Sequence, residues 1–298
     1  MKNFRLGVEE YLAVFCSEEE VVRDVRAAAE RLAADAGFMQ ELGCVAEQLA
    51  DISLPAYRES LSRMKEHAER LSVHPYTAHL AVSMYLAVLS RERYEAEGLP
   101  LCLWEDTVRD VMYKCTECRL VDGITGTFVP DWFLWFFQLR RFALGRLQFE
   151  CIDGRADYDT KTGHVSAADR RINIHIPRTG TPMTPEAVDA SLALAADFFR
   201  RRESLSKIVF EIHSWLLYPA HMPLLREGSN IADFAARFDT VDSGEYADYS
   251  SAWRLFDKRY EGDSDALPAD SSLRRAYIER MRAGLPMGWG YGIFVYTA

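Results

Sequence analysis

The sequence lacks long apolar runs and blocks of basic residues. Its longest weakly polar stretch, 78–89, contains His79 and Ser83 and is much shorter than the ~20 residues that span a bilayer. The 35 Lys and Arg against 45 Asp and Glu give a formal net charge of −10, which argues against nucleic acid or an anionic membrane as a partner. Because Glu9 and Glu10 also interrupt the N-terminal segment, no export signal is recognised and we expect a cytoplasmic protein.

The sequence is also poor in the patterns that bind metal ions. Its six cysteines are scattered, and Cys115 and Cys118 form a CxxC pair that no second cysteine pair or histidine pair accompanies at zinc-finger spacing. The HExxH pattern of zinc hydrolases is missing as well. We therefore expect reduced thiols, no disulfide and no bound metal.

Helical spacing dominates the first part of the chain. Between Val21 and Ala36 the apolar side chains recur every three or four residues, as in an amphipathic helix. The segment 132–137 is aromatic and hydrophobic nearly all round a helix, so we expect burial between two domains or in the interface of a homodimer. We predict an all-helical N-terminal domain over residues 1–142. Its further helices are expected at 53–71, 75–89, 104–115 and 130–137.

The pattern changes after Gly145, where short apolar or alternating segments bounded by Gly, Asp and Pro indicate strands. Helical segments lie between them, and the first is opened by Thr184 as N-cap and Pro185 as first helical residue. The predicted fold class is α+β with two domains, in which residues 143–298 form a mixed α/β sheet domain. Strands are expected at 146–151, 171–176, 208–213, 252–256 and 291–296, helices at 185–199, 229–238 and 272–283, and flexible polar loops at 239–250 and 261–270.

Three of the predicted strands carry polar residues two positions apart. The pairs are Gln148 and Glu150, Asn173 and His175, and Glu211 and His213. Period two places each pair on one face of its strand, so neighbouring strands in register would bring the six side chains together as a titratable cluster. The solvated face of an antiparallel sheet is an equally good interpretation of the pattern.

A predicted strand is followed by a short loop and a helix in the segment IHIPRTGTPMTPE. The loop residues Arg178, Thr179 and Gly180 precede a helix N-terminus, where free backbone N–H groups and the helix dipole favour an anion. Arg178 adds a fixed positive charge. The loop is a candidate phosphate site, and a plain connection between strand and helix is the alternative.

The segment after strand 208–213 holds further polar residues at an edge where open sheets bind ligands. Tyr218, His221, Ser229 and Asn230 lie on this segment. Ser229 is predicted to cap the next helix, and Asn230 to lie in its first turn.

Several blocks of the sequence, taken in order, resemble those of a known family. They are GRLQFE, INIHIP, TPEAVDASLALAADFF, HSWLLYPA, SNIADFAARF, LPADSSLRRA and GWGYGIF. These blocks look like those of bacterial acyltransferase-domain proteins, which join a helical N-acyltransferase-type N-terminal domain to a GNAT-like C-terminal domain. The resemblance extends from about residue 120 to residue 296, and the region before Leu101 is similar only in its helical character.

The resemblance implies a GNAT-type fold, in which a splayed sheet holds acyl-CoA and the loop after the fourth strand cradles its pyrophosphate. By position that loop is Arg178, Thr179 and Gly180, and Asn230 is a fourth cofactor-binding candidate. The usual signature, a basic residue or Gln, two residues, Gly, one residue and then Gly or Ala, is not present, since RTGTPMT has a single glycine. The implied activity is acyl transfer from acyl-CoA, with acetyl-CoA as the favoured cosubstrate, to a small-molecule or peptide amine.

Such a reaction needs a general base whose pKa lies near the working pH. His213 or Glu150 is predicted to be the base, with His175 as the next candidate, and Tyr218 to return a proton to the thiolate. Backbone N–H groups at the splay would polarise the thioester carbonyl. Two other hypotheses are a non-catalytic ligand-binding module on a GNAT scaffold and a metal-dependent hydrolase. The hydrolase would use His175, His213, Glu150 and Glu211.

Overall fold

The computed structural model describes residues 2–297, and the chain divides into two compact units at the bond between Phe142 and Ala143. The first unit is helical. Its helices are α1 (Phe4–Phe15), α2 (Glu19–Ala33), α3 (Ala36–Glu47), α4 (Leu54–Arg70), α5 (Pro75–Ala96), α6 (Leu101–Val108), α7 (Asp110–Asp122) and the short α8 (Leu134–Phe137). Side-chain oxygens of Asn3, Asp35 and Ser53 accept backbone N–H groups in the first turns of α1, α3 and α4, which satisfies donors that a helix start leaves unpaired.

α5 is the central helix of this unit. Fourteen of its residues are buried, and α1, α2 and α4 pack around it. A helix that is apolar on nearly all sides is stable only where other elements cover it. The stretch 78–89 is therefore a core helix. No helix within residues 2–297 is both long and apolar enough to cross a membrane.

The aromatic run lies in α8 and in the 3-10 turn before it, and part of it is buried. Its predicted position between two domains or in a homodimer interface stays a prediction. Phe133, Phe136 and Phe137 are fully buried, and Trp132 donates its indole N–H to Asp110 over 3.0 Å. The predicted helix 104–115 was wrong as one element, because α6 and α7 are separate helices that meet at Arg109. Asp110 begins α7, where its carboxylate accepts from Trp132 and lies at the positive end of the helix dipole.

The second unit is built on a mixed sheet with helices. The strands are β1 (Arg141–Leu144), which spans the division, β2 (Leu147–Ile152), β3 (Tyr158–Thr160), β4 (Gly163–Val165), β5 (Arg171–His175), β6 (Val209–Ser214), β7 (Asp239–Glu245) and β8 (Gly288–Val295). The helices are α9 (Pro185–Arg202), α10 (Asn230–Ala235), α11 (Trp253–Phe256) and α12 (Ser272–Arg282). Six strands form one sheet in the order β1-β2-β5-β6-β8-β7, and β3 and β4 form a separate hairpin.

β5 and β6 are parallel, whereas their other neighbours in the sheet, β2 and β8, pair with them in antiparallel fashion. The ladder between β5 and β6 consists of Ile172 beside Phe210 and Asn173 beside Glu211. β5 continues to His175 and β6 to Ser214 beyond the end of this ladder. The two parallel strands are therefore paired with each other only at their base. At their carboxyl ends each pairs with its outer neighbour, which gives the splay that the family resemblance implies.

The two faces of the sheet differ in chemistry. Phe149, Ile174 and Phe210 point to one face, where α9 packs against β2. On the other face the hairpin contributes Val165 to a small buried cluster with Val209 and Ile293. The remainder of this second face carries the polar side chains of β2, β5 and β6, so the sheet is apolar on one side and largely polar on the other.

The glycine-rich β8 allows the chain after β6 to cross it closely. A Cβ atom on Gly290 would lie 2.2 Å from the carbonyl oxygen of Leu217. No side chain fits at that distance. The glycine at every second position of GWGYGIF is therefore explained by the close approach of the two backbones.

Two predicted elements of this unit were wrong. Residues 252–256 form the turn and helix α11 where a strand was expected, and residues 239–245 form strand β7 where a flexible loop was expected. β7 lies at the edge of the sheet and pairs with β8 through its backbone. Its sequence DTVDSGE is mostly polar, so the apolar alternation that predicts a strand is missing. β1 and the β3–β4 hairpin were not predicted at all.

Candidate functional site

The polar residues of three strands share one face of the sheet, as their period-two spacing predicts. Gln148 pairs with His175 and Glu150 with Asn173 across β2 and β5. Asn173 is in turn beside Glu211 of β6, and His213 follows Glu211 by two positions. The face that carries these six side chains is called the polar face below. His175 lies at the end of β5 and His213 near the end of β6, on the two strands that form the splay.

Glu150, Asn173 and His175 form a hydrogen-bonded cluster on the polar face. His175 Nε2 lies 2.8 Å from Glu150 Oε1, and Asn173 donates its amide to the same oxygen over 3.0 Å. The carboxylate and the imidazole are each about four-fifths or more buried. We assign the proton of neutral His175 to Nε2 because that atom faces the carboxylate. Nδ1 then carries the lone pair that can accept a proton.

A second network lies at the base of the splay, and the sequence did not reveal it. Arg171 is 1 % exposed and Glu211 7 %, and the guanidinium donates to Glu211 over 3.5 Å and to the Tyr291 hydroxyl over 2.8 Å. Tyr291 also bonds to Glu211, while Tyr158 of the hairpin lies against the guanidinium. Arg171 precedes Asn173 by two positions, so the period-two spacing that predicts a shared face for Asn173 and His175 also predicts it for Arg171.

His213 lies on the other arm of the splay in a different setting. Its ring stacks on Trp289, with centroids 4.4 Å apart, and its other side is exposed to solvent. Partial desolvation lowers the pKa of His213 below its usual value. His213 is thus neutral and accessible at pH 7, but no carboxylate within the described residues orients its ring as Glu150 does for His175.

Tyr218 lies on the opposite face of the sheet from this polar cluster. Its ring packs against Gly288 of β8. Because side chains on a strand alternate between the two faces, Gly288 faces one side of the sheet, and Trp289 and Tyr291 face the polar side. The hydroxyl bonds to Glu245 over 3.1 Å, and burial together with this carboxylate raises the pKa of Tyr218.

The loop after β5 is anchored by its arginine. The Arg178 guanidinium makes a two-pronged ion pair with Asp257, in which Nη2 lies 2.9 Å from Oδ2. The Thr179 and Thr181 hydroxyls lie 2.7 Å apart on an exposed surface. Gly180 has φ = 78°, with open space where a side chain would be. The backbone between these residues therefore bends in a way that favours glycine and leaves room for a ligand.

The start of α9 offers fewer free donors than its sequence suggested. Thr184 accepts the N–H of Ala187 on its side chain and that of Val188 on its carbonyl, and Pro185 has no N–H. Only Glu186 remains in the first turn, and its own carboxylate disfavours an anion at this end. The expectation of several free N–H groups at this helix was wrong because the cap uses them.

Ser229 caps α10 as predicted, since its hydroxyl accepts from the N–H of Ala232. Asn230 is the first residue of that helix. Its assignment to cofactor binding stays a prediction.

Two further features of the described residues bear on other functions. Within residues 2–297 no group of three or more His, Cys, Asp and Glu is placed to hold a metal ion. A cavity of about 770 Å³ lies within the helical unit. Arg119 in the wall of this cavity forms ion pairs with Glu18 and Glu20, so these three charged side chains are paired with one another.

Comparison with known protein families decides the wider relationship. Residues 141–294 match the model of the GNAT-like C-terminal domain, and residues 8–139 match that of the N-acyltransferase N-terminal domain. The chain belongs to the family with this GNAT-like C-terminal domain. Nearly the whole sequence is covered by the two domains, so the resemblance that was seen mainly after residue 120 extends through the helical unit.

Solved structures of acyltransferases have the same fold as this chain. A complex of an acyltransferase with decanoyl-CoA and teicoplanin is 24% identical over 93% of this chain and 87% of that chain, with a TM-score of 0.70. A mutant acyltransferase in complex with octanoyl-CoA is 23% identical with the same coverage and TM-score. An acyltransferase bound to decanoyl-CoA is 21% identical over 97% of this chain and 99% of that chain, with a TM-score of 0.61. No curated protein matches the sequence.

Proposed function

We propose that the protein transfers an acyl group from acyl-CoA to an amine, with the reaction centred on the splay between β5 and β6. The observation that carries the proposal is the short parallel ladder at Asn173 and Glu211, beyond which His175 and His213 face a gap in the sheet. Backbone groups of the two strands that face each other across this gap can bind an extended ligand and polarise a thioester carbonyl. The N-acyltransferase family supports the same reaction class.

For the donor, we propose that the loop residues Arg178, Thr179 and Gly180 bind the pyrophosphate. The positive charge of Arg178, the exposed threonine hydroxyls and the open space at Gly180 support this assignment. Asn230 is retained as a fourth contact. Acetyl-CoA is the prediction from the sequence, whereas the neighbouring structures that contain decanoyl-CoA and octanoyl-CoA favour a longer acyl chain.

In the proposed reaction His175 is the general base, oriented by Glu150. The amine nitrogen attacks the thioester carbonyl carbon while its proton passes to His175 Nδ1, and the carbon–sulfur bond then breaks. The thiolate takes up a proton, so that the products are an amide and free CoA. The hydrogen-bonded pair supports His175 over His213, because a base held by a carboxylate has a fixed orientation and a stabilised protonated form. Tyr218 is not used in this step, because its hydroxyl bonds to Glu245 on the opposite face of the sheet. Its role as proton donor stays a prediction from the sequence.

The acceptor is proposed to be a primary amine on a small molecule or peptide. A neighbouring acyltransferase was solved with teicoplanin, which favours a bulky small molecule. A cytoplasmic location, a bacterial origin and a homodimer stay predictions from the sequence.

The test is release of free CoA from acetyl-, octanoyl- and decanoyl-CoA in the presence of a panel of amines. Wild-type protein is expected to release CoA and form the amide in equal amounts. His175→Gln is expected to lower kcat about 100-fold or more, and His213→Gln at most about tenfold. Acyl-CoA binding without turnover on any amine would instead favour the non-catalytic ligand-binding module. The single glycine of the loop, which departs from the usual signature, is the observation that supports that alternative.

A further inference from the structure

Two arginines from different elements converge on one carboxylate beside the loop after β5. Arg178 binds both oxygens of Asp257 through its two terminal nitrogens. Arg274 of α12 donates to Asp257 Oδ2 over 2.7 Å, and its Nε donates to the carbonyl of Leu255 over 2.9 Å. Asp257 thus joins the loop, the end of α11 and the first turn of α12. These three charged residues are called the clamp below.

The backbone of Asp257 is also unusual. It ends α11 with φ = 56°, a left-handed conformation that residues other than glycine seldom adopt. Its N–H donates to the carbonyl of Trp253 over 2.9 Å. Glycine would suit this backbone better, so the conformation does not explain why the residue is an aspartate. The two guanidinium groups that bind its carboxylate do explain it.

The clamp leaves part of Arg178 open to a ligand. A guanidinium has five N–H donors, and Asp257 accepts from two of them. The Arg178 side chain is 36 % exposed, against 16 % for Arg274 and 20 % for Asp257. Arg274 also donates to both carboxylate oxygens of Asp270 over 3.1 Å, so two carboxylates balance the two guanidinium groups. The exposed N–H donors of Arg178 are therefore what can receive a phosphate.

We propose that Asp257 is a positioning residue for the phosphates of CoA, which holds Arg178 in the orientation that receives them. This inference rests on the proposed function. Ordering a long, flexible side chain before the ligand arrives removes an entropic cost from binding. Arg274 holds Asp257 from the other side, and the N–H donors of Arg178 that Asp257 does not use remain for an anion.

Positioning and simple electrostatics predict opposite results for Asp257→Asn. If the carboxylate only repelled phosphate, its neutralisation would tighten CoA binding. If it positions Arg178, affinity falls even though the site gains positive charge. Asp257→Glu keeps the charge but moves it by one methylene group, and positioning predicts a loss of affinity there too.

The experiment is calorimetric titration of CoA, and of pantetheine, which has no phosphate, into the full-length protein. Asp257→Asn and Asp257→Glu are each expected to weaken CoA binding about tenfold and to leave pantetheine binding unchanged. The matched control is Asp265→Asn, the same charge change in the loop before α12, where Asp265 pairs with Arg282. It is expected to stay within about twofold of wild type.

CoA binding by Asp257→Asn that equals or exceeds wild type would overturn the inference while the proposed function stood. An equal loss of CoA and pantetheine binding would overturn it as well, since the effect would then not concern the phosphates. Wild-type protein that bound neither compound would remove the proposed function, and the inference with it.

Discussion

The carboxylate of Glu150 orients His175, the proposed base, over 2.8 Å. Glu150→Gln keeps a hydrogen-bonding partner for His175 but loses the negative charge that stabilises protonated imidazole. We expect kcat to fall about 10- to 100-fold, and the acidic limb of the kcat/KM profile to move to lower pH. The pH dependence of CoA release with a reactive amine measures both effects.

A matched control for this change is Glu203→Gln. Glu203 pairs with Arg170 in the same unit, away from the polar face, and its replacement should leave the pH profile in place. An unshifted profile in Glu150→Gln would contradict the assignment of His175 as the base.

His221 makes a separate prediction about stability. It is 1 % exposed, its Nδ1 lies near the Trp215 carbonyl and the Tyr277 hydroxyl, and burial lowers its pKa to about 4. The folded pKa is below the unfolded value of about 6.5, so its neutral form stabilises the fold above pH 6.5. That contribution is lost as the pH falls from 6.5 to 4.

Unfolding by urea across this pH range measures the effect. Wild type is expected to lose up to about 3 kcal/mol of its free energy of unfolding between pH 6.5 and pH 4 through this residue. The loss should be smaller in His221→Gln, whose side chain does not titrate. Equal pH dependence in the two proteins would show that His221 is not protonated on unfolding.

Among single residues, those on regular strands were predictable and those fixed by long-range contacts were not. Glu150, His175 and His213 follow from period two, because side chains on a strand alternate strictly between faces. Asp257 could not be found, since its role depends on Arg178, 79 positions away in sequence. The hydrogen-bond partner of Tyr218 was hidden for the same reason.

At the scale of elements, β8 and the crossing chain after β6 approach each other closely. In Gly290→Ala the new Cβ would meet the carbonyl of Leu217 at 2.2 Å, and neither backbone can move without disturbing the sheet. We expect a loss of about 2 kcal/mol or more in the free energy of unfolding, measured by urea denaturation. Leu285→Ala, at an exposed side chain, is the control and should change it by about 0.5 kcal/mol or less.

The elements that the sequence predicted correctly are those whose own residues pack the core. β5, β6 and α9 are examples, because their apolar residues recur with the period of the structure they form. β7 was missed because an edge strand can be held by backbone pairing alone. The five residues at 252–256 were too few to distinguish a strand from the turn of helix that forms there.

For the whole molecule, binding of the correct donor should raise thermal stability. A ligand at 100 times its Kd adds about 2.7 kcal/mol to the free energy of unfolding, a shift of several degrees in Tm for a chain of this size. We expect the shift at a fixed concentration to differ among acetyl-, octanoyl- and decanoyl-CoA, and the largest shift identifies the acyl length. Identical shifts for the three compounds and for CoA alone would mean that the acyl chain is not recognised.

The most direct test of the account is a calorimetric titration of octanoyl-CoA into wild-type protein and into Arg178→Glu. The account predicts a Kd in the micromolar range for wild type, with binding weakened at least about tenfold by the charge reversal at the pyrophosphate loop. Absence of binding up to about 1 mM ligand, in protein shown to be folded, would contradict the claim that the splay and its loop form an acyl-CoA site.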